Sequence, residues 1–231
     1  MTTNDPAAAT WREQAVARSL DSARTRAENR VQRFLDAALE LMRDSDTGKE
    51  FTVQEVVERS GQSLRSFYQY FGGKHELLLA LFEESVRSTA DALRAKVEEE
   101  DEPLDRLHRF VVEYYRVCRP ARTGKSKPKP PIAQVMVDFA QQLLTAHPAE
   151  AARAYAPLVS LFGEVLDEAS DVGVIRSGLR RGPVAGIVLE AIMFNAFSTT
   201  ISGTPIRAAD GDPAEELWDL LVNGIGTGPR A

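Results

Sequence analysis

Between Ser60 and His75 the chain places Ser63, Arg65, Ser66, Tyr68, Tyr70 and Lys74, with two formal positive charges and no carboxylate. These side-chain types suit phosphate and base edges. The hydroxyls of Tyr68 and Tyr70 can donate to a phosphate oxygen while the rings pack on a sugar or a thymine methyl. Arg65 has the planar fork that reads guanine edges. Ser63 and Ser66, with the amides of a helix N-terminus, suit phosphate oxygens. Lys74 opens a further helix, where dipole and side chain both favour an anion. A face meant to lie against a polyanion must omit carboxylates, because each one repels it and forfeits counterion release. The whole chain of 231 residues has a formal net charge of −6. That average argues against nucleic acid as a partner, so what matters is the charge on one face.

The elements that must position these groups are helical. Phe67 and Phe71, spaced i, i+4, can anchor a short helix over 63–71, leaving Leu64, Arg65, Tyr68 and Gln69 pointing outward. Before it, Thr52 and Glu55 form a capping box that opens a helix with Val53, Val56 and Val57 inward, and Gly61 stops that helix. Earlier still, Val31, Phe34, Leu35, Ala38, Leu39 and Met42 form an amphipathic stripe that ends at the turn-rich "DSDTGKE". After "GGK", Lys74 to about Glu100 reads as one long helix with Leu77, Leu78, Leu81, Phe82 and Val86 inside. Two short helices a few residues apart around a glycine have helix-turn-helix spacing. The alternative is a solvated surface helix with spare tyrosines, since this geometry also occurs in proteins that bind no DNA.

Thr52 to Leu81, "TVQEVVERSGQSLRSFYQYFGGKHELLLAL", closely resembles the DNA-binding segment of the TetR (AcrR) family of bacterial transcriptional repressors, over about 30 residues at fixed spacing. The resemblance implies phosphate contacts at Thr52, Ser63, Ser66, Tyr68, Tyr70 and Lys74, and base reading at Leu64, Arg65 and Gln69. Two positions depart from the family pattern. Gln62 occupies a turn position that is usually apolar, and Leu64 sits where a polar base-contacting residue is common. Sequence reading therefore falls on Arg65 and Gln69. The resemblance further implies a homodimer on a palindromic double-stranded operator and a C-terminal bundle that binds a small effector. Two-fold symmetry is independently expected, because one short recognition helix makes too few contacts for useful specificity.

The remainder is also helical in pattern. Segments are expected at Leu104–Cys118, from Ile132 to about Ala146, at Ala149–Asp171, at Pro183–Ser202 and from Pro213 to about Gly224, with a Pro-rich basic loop at 119–131. The fold class is all-α: a three-helix helix-turn-helix DNA-binding module joined by a long helix to a helical ligand-binding and dimerisation bundle. The expected divisions are a flexible N-terminal extension at 1–27, a DNA-binding domain at 28–75 and the bundle at 76–231. Arg12, Arg18, Arg24 and Arg26 make the extension either an arm that tracks the DNA backbone or enters a minor groove, or a solvated tail. The helices at 149–171 (Leu158, Leu161, Phe162, Val165) and 183–202 (Ile187, Ala191, Phe194, Ser198) are the expected subunit interface. Phe110, Tyr114, Val117, Met136, Phe139, Leu143 and Phe162 are candidates for a ligand pocket, or else they form a dry core. The effector is expected to be apolar or acyl-CoA-like.

Glu190, inside "GIVLEAIMFNAF", must find a partner, shift its pKa or reach the surface. The cations of 119–129 hold a ligand's phosphates, touch DNA flanks or stay solvated. Cys118 is the single cysteine, so neither an internal disulfide nor a cysteine zinc site is available. No metal-ligand spacing, catalytic signature or cofactor fingerprint appears, and no enzyme, metal or cofactor is expected. With no secretory signal and no apolar run long enough to span a membrane, a cytoplasmic protein is expected. Two other functions fit the same residues: a constitutive DNA-binding repressor without effector, and an all-α protein–protein adaptor.

Overall fold

A computed structural model describes residues 10–44, 51–118, 132–175, 179–201 and 211–225. The helices are α1 (Trp11–Asp44), α2 (Val53–Ser60), α3 (Leu64–Tyr70), α4 (Lys74–Val97), α5 (Pro103–Cys118), α6 (Ile132–Ala146), α7 (Pro148–Asp171), α8 (Arg181–Ile201) and α9 (Pro213–Ile225). The chain divides into two compact units, Met1–Leu78 and Leu79–Ala231, and the division falls inside α4. Among the described residues no helix is long and apolar enough to cross a membrane. The expected all-α fold class holds.

In the first unit α1 begins at Trp11, twenty residues before the apolar stripe that starts at Val31. Residues 11–27, expected as an extension ahead of the first helix, are helical. Thr10 supplies the start: its N–H donates to Glu13 Oε2 at 2.7 Å, and its hydroxyl accepts from the Glu13 N–H at 3.4 Å. This Thr-x-x-Glu signature is legible in the sequence. The first half of α1 is exposed, including Trp11, Val16 and Leu20, and burial begins at Phe34 and Leu35. From there Phe34, Ala38 and Met42 pack with Val56, Val57, Phe67, Phe71 and Leu77 into one core. Arg59 of α2 reaches back to Glu40 at 3.3 Å and Asp44 at 2.9 Å on α1. Gly61 ends α2 with φ +65° and returns its N–H to the Glu58 carbonyl at 3.3 Å, a left-handed cap that suits a residue without Cβ.

In the second unit α5 packs against α7, α8 and α9, and α7 against α6 and α8. Phe110 of α5 is fully buried, its ring 4.8 Å from that of Phe162 and 5.9 Å from that of Tyr114. Phe82 of α4 meets Phe139 at 6.1 Å and Tyr155 at 5.3 Å, edge to face, the geometry the ring quadrupole prefers. The Tyr155 hydroxyl donates to Met193 Sδ at 3.2 Å. The Tyr114 hydroxyl meets the Cys118 thiol, and burial pushes both phenols up and the thiol up to about 12. Pro157 lies inside α7 and deletes one rung of its hydrogen-bond ladder.

Of the expected pocket residues, Phe110, Tyr114, Phe139, Leu143 and Phe162 are buried, Met136 is half-buried, and Val117 is 56% exposed. Leu158, Leu161, Phe162 and Val165, expected at a subunit interface, lie in the chain's own core. They are therefore not free to meet a second copy. On α8, Ile187 (65%) and Phe194 (51%) are exposed, as are Ala191 and Glu190. Glu190 takes the surface option among those open to it. The side chain of Ser198 and the loop 119–131 lie outside the described residues.

Glu113 is the buried carboxylate among the described residues of this unit. It binds the Lys96 ammonium, accepts from Arg116 at 2.9 Å and lies 4.0 Å from Arg109. Burial by itself would push its carboxyl up; Lys96, then Arg116, outweigh that and hold it below the ordinary 4.5. A carboxyl depressed by folding stabilises the fold above its ordinary pKa, and the contribution is lost as the pH falls through the folded value. Replacing Lys96 with Met should therefore lower the melting temperature at neutral pH, and the gap to wild type should shrink as the pH falls below 4.5. Thermal melts across pH 3–7 check this. Gly61→Ala should cost about 1 kcal/mol through the backbone alone, because no atom lies within 4 Å of the added Cβ. Denaturant titration followed by circular dichroism measures that cost.

Candidate nucleic-acid interface

A seven-residue helix is too short to be stable alone, so α3 depends on what it is wedged into. Phe67 is fully buried and Phe71 nearly so. Their rings lie 5.4 and 6.1 Å from Phe34 of α1, both edge to face, and 5.4 Å from each other. The Ser63 hydroxyl caps α3 by accepting from the Ser66 N–H at 3.1 Å. Ser60 ties the turn, donating to the Val57 carbonyl at 3.0 Å and accepting from the Gln62 N–H at 3.3 Å. The unusual polar residue of the turn is thus held by its backbone, with its side chain half-buried.

With Phe67 inward, the opposite face of α3 is open. Leu64 is 43% and Tyr68 57% exposed, and Arg65 and Gln69 are exposed beside them. These four stand at i, i+1, i+4 and i+5, one continuous face. The face has no carboxylate, and Arg65 has no ion-pair partner among the described residues. The Tyr68 ring leans edge-on against Phe67 at 5.5 Å, which leaves its hydroxyl end toward solvent. The carboxylates on either side in sequence are hydrogen-bonded. Glu58 accepts from the Gln54 amide at 3.4 Å, Glu55 from the Thr52 N–H at 2.7 Å and its hydroxyl at 2.9 Å, and Glu76 from the Gly72 N–H at 2.7 Å.

The remaining expected contacts are placed less uniformly. Thr52 and Ser63 are exposed, whereas Tyr70 and Lys74 are half-buried. The Ser66 Oγ is enclosed without a hydrogen-bond partner, unlike the open hydroxyl that direct phosphate contact needs. Lys74 Nζ sits 4.8 Å from the centre of the Phe51 ring, a cation–π contact that orients the ammonium. The sequence pattern offers no signal for that contact, because Phe51 and Lys74 lie on different elements. The Arg59 clamp onto α1 likewise has no signal in the sequence pattern, because its acidic partners lie 15 and 19 residues earlier on a different helix.

Residues 34–81 match the family described as bacterial regulatory proteins, tetR family. No curated protein matches the chain in sequence. Its fold is similar to that of the transcriptional regulator FadR from Bacillus subtilis, solved with stearoyl-CoA, at TM-score 0.62 and 16% identity, covering 84% of this chain and 98% of that one. RolR, solved with resorcinol, superposes at TM-score 0.61 and 18% identity, covering 88% and 91%. A TetR/AcrR-family regulator from Thermobifida fusca gives TM-score 0.55 at 15% identity, covering 88% and 100%. At such identities the likeness is one of fold, and the family likeness rests on the helix-turn-helix segment within it. Residues 34–81 thus carry the DNA-binding segment of the bacterial regulatory proteins of the tetR family, set in a chain whose fold is similar to that of solved regulators.

Proposed function

We propose that this chain is a homodimeric, ligand-responsive repressor that binds a palindromic operator through α3. One observation supports this most: an open, carboxylate-free face with Arg65, Tyr68 and Gln69 exposed together and Phe67 fixed beneath them. Arg65 and Gln69 read base edges in the major groove, Leu64 packs on a thymine methyl, and Tyr68 with Thr52, Ser63, Tyr70 and Lys74 positions the module on phosphates. The exposed apolar line Ile187–Ala191–Phe194 on α8 suits a second copy of the chain. A small effector in the second unit acts by favouring one conformation of the helix that begins at Lys74, which requires different affinity for the two states. Ligands bound to similar folds, stearoyl-CoA in FadR and resorcinol in RolR, support an apolar or acyl-CoA-like effector.

The dense packing of Phe110 on Phe162 at 4.8 Å favours a second possibility, a constitutive repressor whose core is filled. A thermal-shift screen with acyl-CoAs and small phenols separates the two. A ligand that raises the melting temperature and releases DNA supports the effector-controlled form, and no shift from either class supports the constitutive one.

Fluorescence anisotropy with the DNA upstream of the protein's own coding region, against unrelated DNA, tests the core of the proposal. Wild type should prefer the upstream DNA at two chains per site. Arg65→Ala should weaken that preference by about 1–3 kcal/mol and leave binding to unrelated DNA nearly unchanged. Equal binding to both DNAs by wild type would count against sequence-specific repression at that site.

A further inference from the structure

The exposed first half of α1 separates its charges by face. Arg12, Ser19, Ser22, Arg26, Arg30 and Arg33 lie within about a third of the helix circumference, and no carboxylate falls among them from Trp11 to Arg33. Glu13, Asp21 and Glu28 lie on the other side. Arg24, also on that other side, is paired with Glu28 at 2.7 Å. Arg26, Arg30 and Arg33 are exposed and make no ion pair among the described residues. Asp36, one turn after Arg33, accepts instead from Gln32 at 2.9 Å. Where the same face turns acidic, at Glu40 and Asp44, Arg59 of α2 covers both. In a chain of net charge −6, such a face is not what average composition produces.

We propose that this arginine face of α1 is a second DNA-contacting surface, which lies along the phosphate backbone beside the site read by α3. The inference rests on the DNA-binding role of α3. A polyanion is the occupant that the charge selects, since Arg26, Arg30 and Arg33 span only about 10 Å of helix axis and can meet consecutive phosphates of one strand. A second copy of the chain is disfavoured there: the exposed apolar residues Trp11, Val16 and Leu20 do not form a line free of the arginines, and Arg12, Arg26, Arg30 and Arg33 would face their own equivalents. The helix that carries these arginines is also anchored to the reading helix: Phe34, one residue after Arg33, packs directly on Phe67 of α3, so the arm is a rigid extension of that unit and not a tethered tail. It supplies binding energy without reading sequence.

The test is a salt titration of full-length protein on the upstream DNA and on a random-sequence duplex, comparing wild type, R26Q/R30Q/R33Q, Arg24→Gln and Arg65→Ala. The triple variant should lower the slope of log affinity against log salt by about 2–3 per chain, by similar amounts on both duplexes. Arg24→Gln, on the other face of the same helix, should leave the slope unchanged. Glutamine at exposed helical positions preserves α1, which circular dichroism verifies. A triple variant with wild-type slope and affinity would overturn the arm while a lasting effect of Arg65→Ala kept α3 as reader. An equal slope loss per arginine in Arg24→Gln would overturn the assignment to this face. Wild type without salt-dependent binding to either duplex would sink both surfaces together.

Discussion

The contact of Phe34 with Phe67 and Phe71 is the constraint on which the DNA-facing part of the molecule depends. A helix as short as α3 lacks the internal hydrogen bonds to hold its own shape in water, and among the described residues no ion pair on its exposed face substitutes for them. Phe67 and Phe71, each packed edge to face with Phe34, set both its position and its rotation about its axis. That rotation determines which side chains are presented outward. Were Phe67 to turn by one residue position, Ser66 or Tyr68 would enter the core and the face of Leu64, Arg65, Tyr68 and Gln69 would be lost. The cap at Ser63 and the left-handed turn at Gly61 serve the same end, since they fix where the helix starts and the direction from which the chain arrives.

The second unit is held by a different balance. Its apolar layer of Phe82, Phe110, Phe139 and Phe162 is dense, and Glu113, the one buried carboxylate among the described residues, is surrounded by Lys96, Arg109 and Arg116. Removing one cation leaves the others, but the desolvated charge is then under-compensated. Further pairs between helices, Arg106 with Glu168, Arg116 with Asp212 and His108 with Glu215, lie nearer the surface, where ion pairs contribute little each. They fix the register of α5 against α7 and α9 more than they stabilise it.

Much of this was legible in the sequence, and for physical reasons. The i, i+3, i+4 stripes located nearly every helix within a few residues, and the Thr52–Glu55 box, Gly61 and Ser63 marked the turn because caps act through local geometry. The open face of α3 followed from the spacing of Phe67 and Phe71. The apolar stripe does not mark the start of α1, because it begins only where α1 meets its partners. Beyond it, Ala, Arg and Gln propensities and the Thr10–Glu13 cap sustain the helix without a core. The α7 residues taken for an interface failed differently. Periodicity shows that a residue wants burial, but not whether its own chain or a second copy provides it. Glu190 was the reverse case, a carboxylate in an apolar run whose helix simply turns that position outward.

Cys118 has a consequence for how motion in this protein can be followed. Its thiol is half-buried, and burial beside Tyr114 pushes it up to about 12, which slows it relative to a free, exposed thiol because thiolate is the species that alkylating reagents and oxidants attack. A cysteine introduced on the exposed face of α1 would outpace it under brief labelling, and a fluorophore placed there would follow the first unit without disturbing the core around Tyr114.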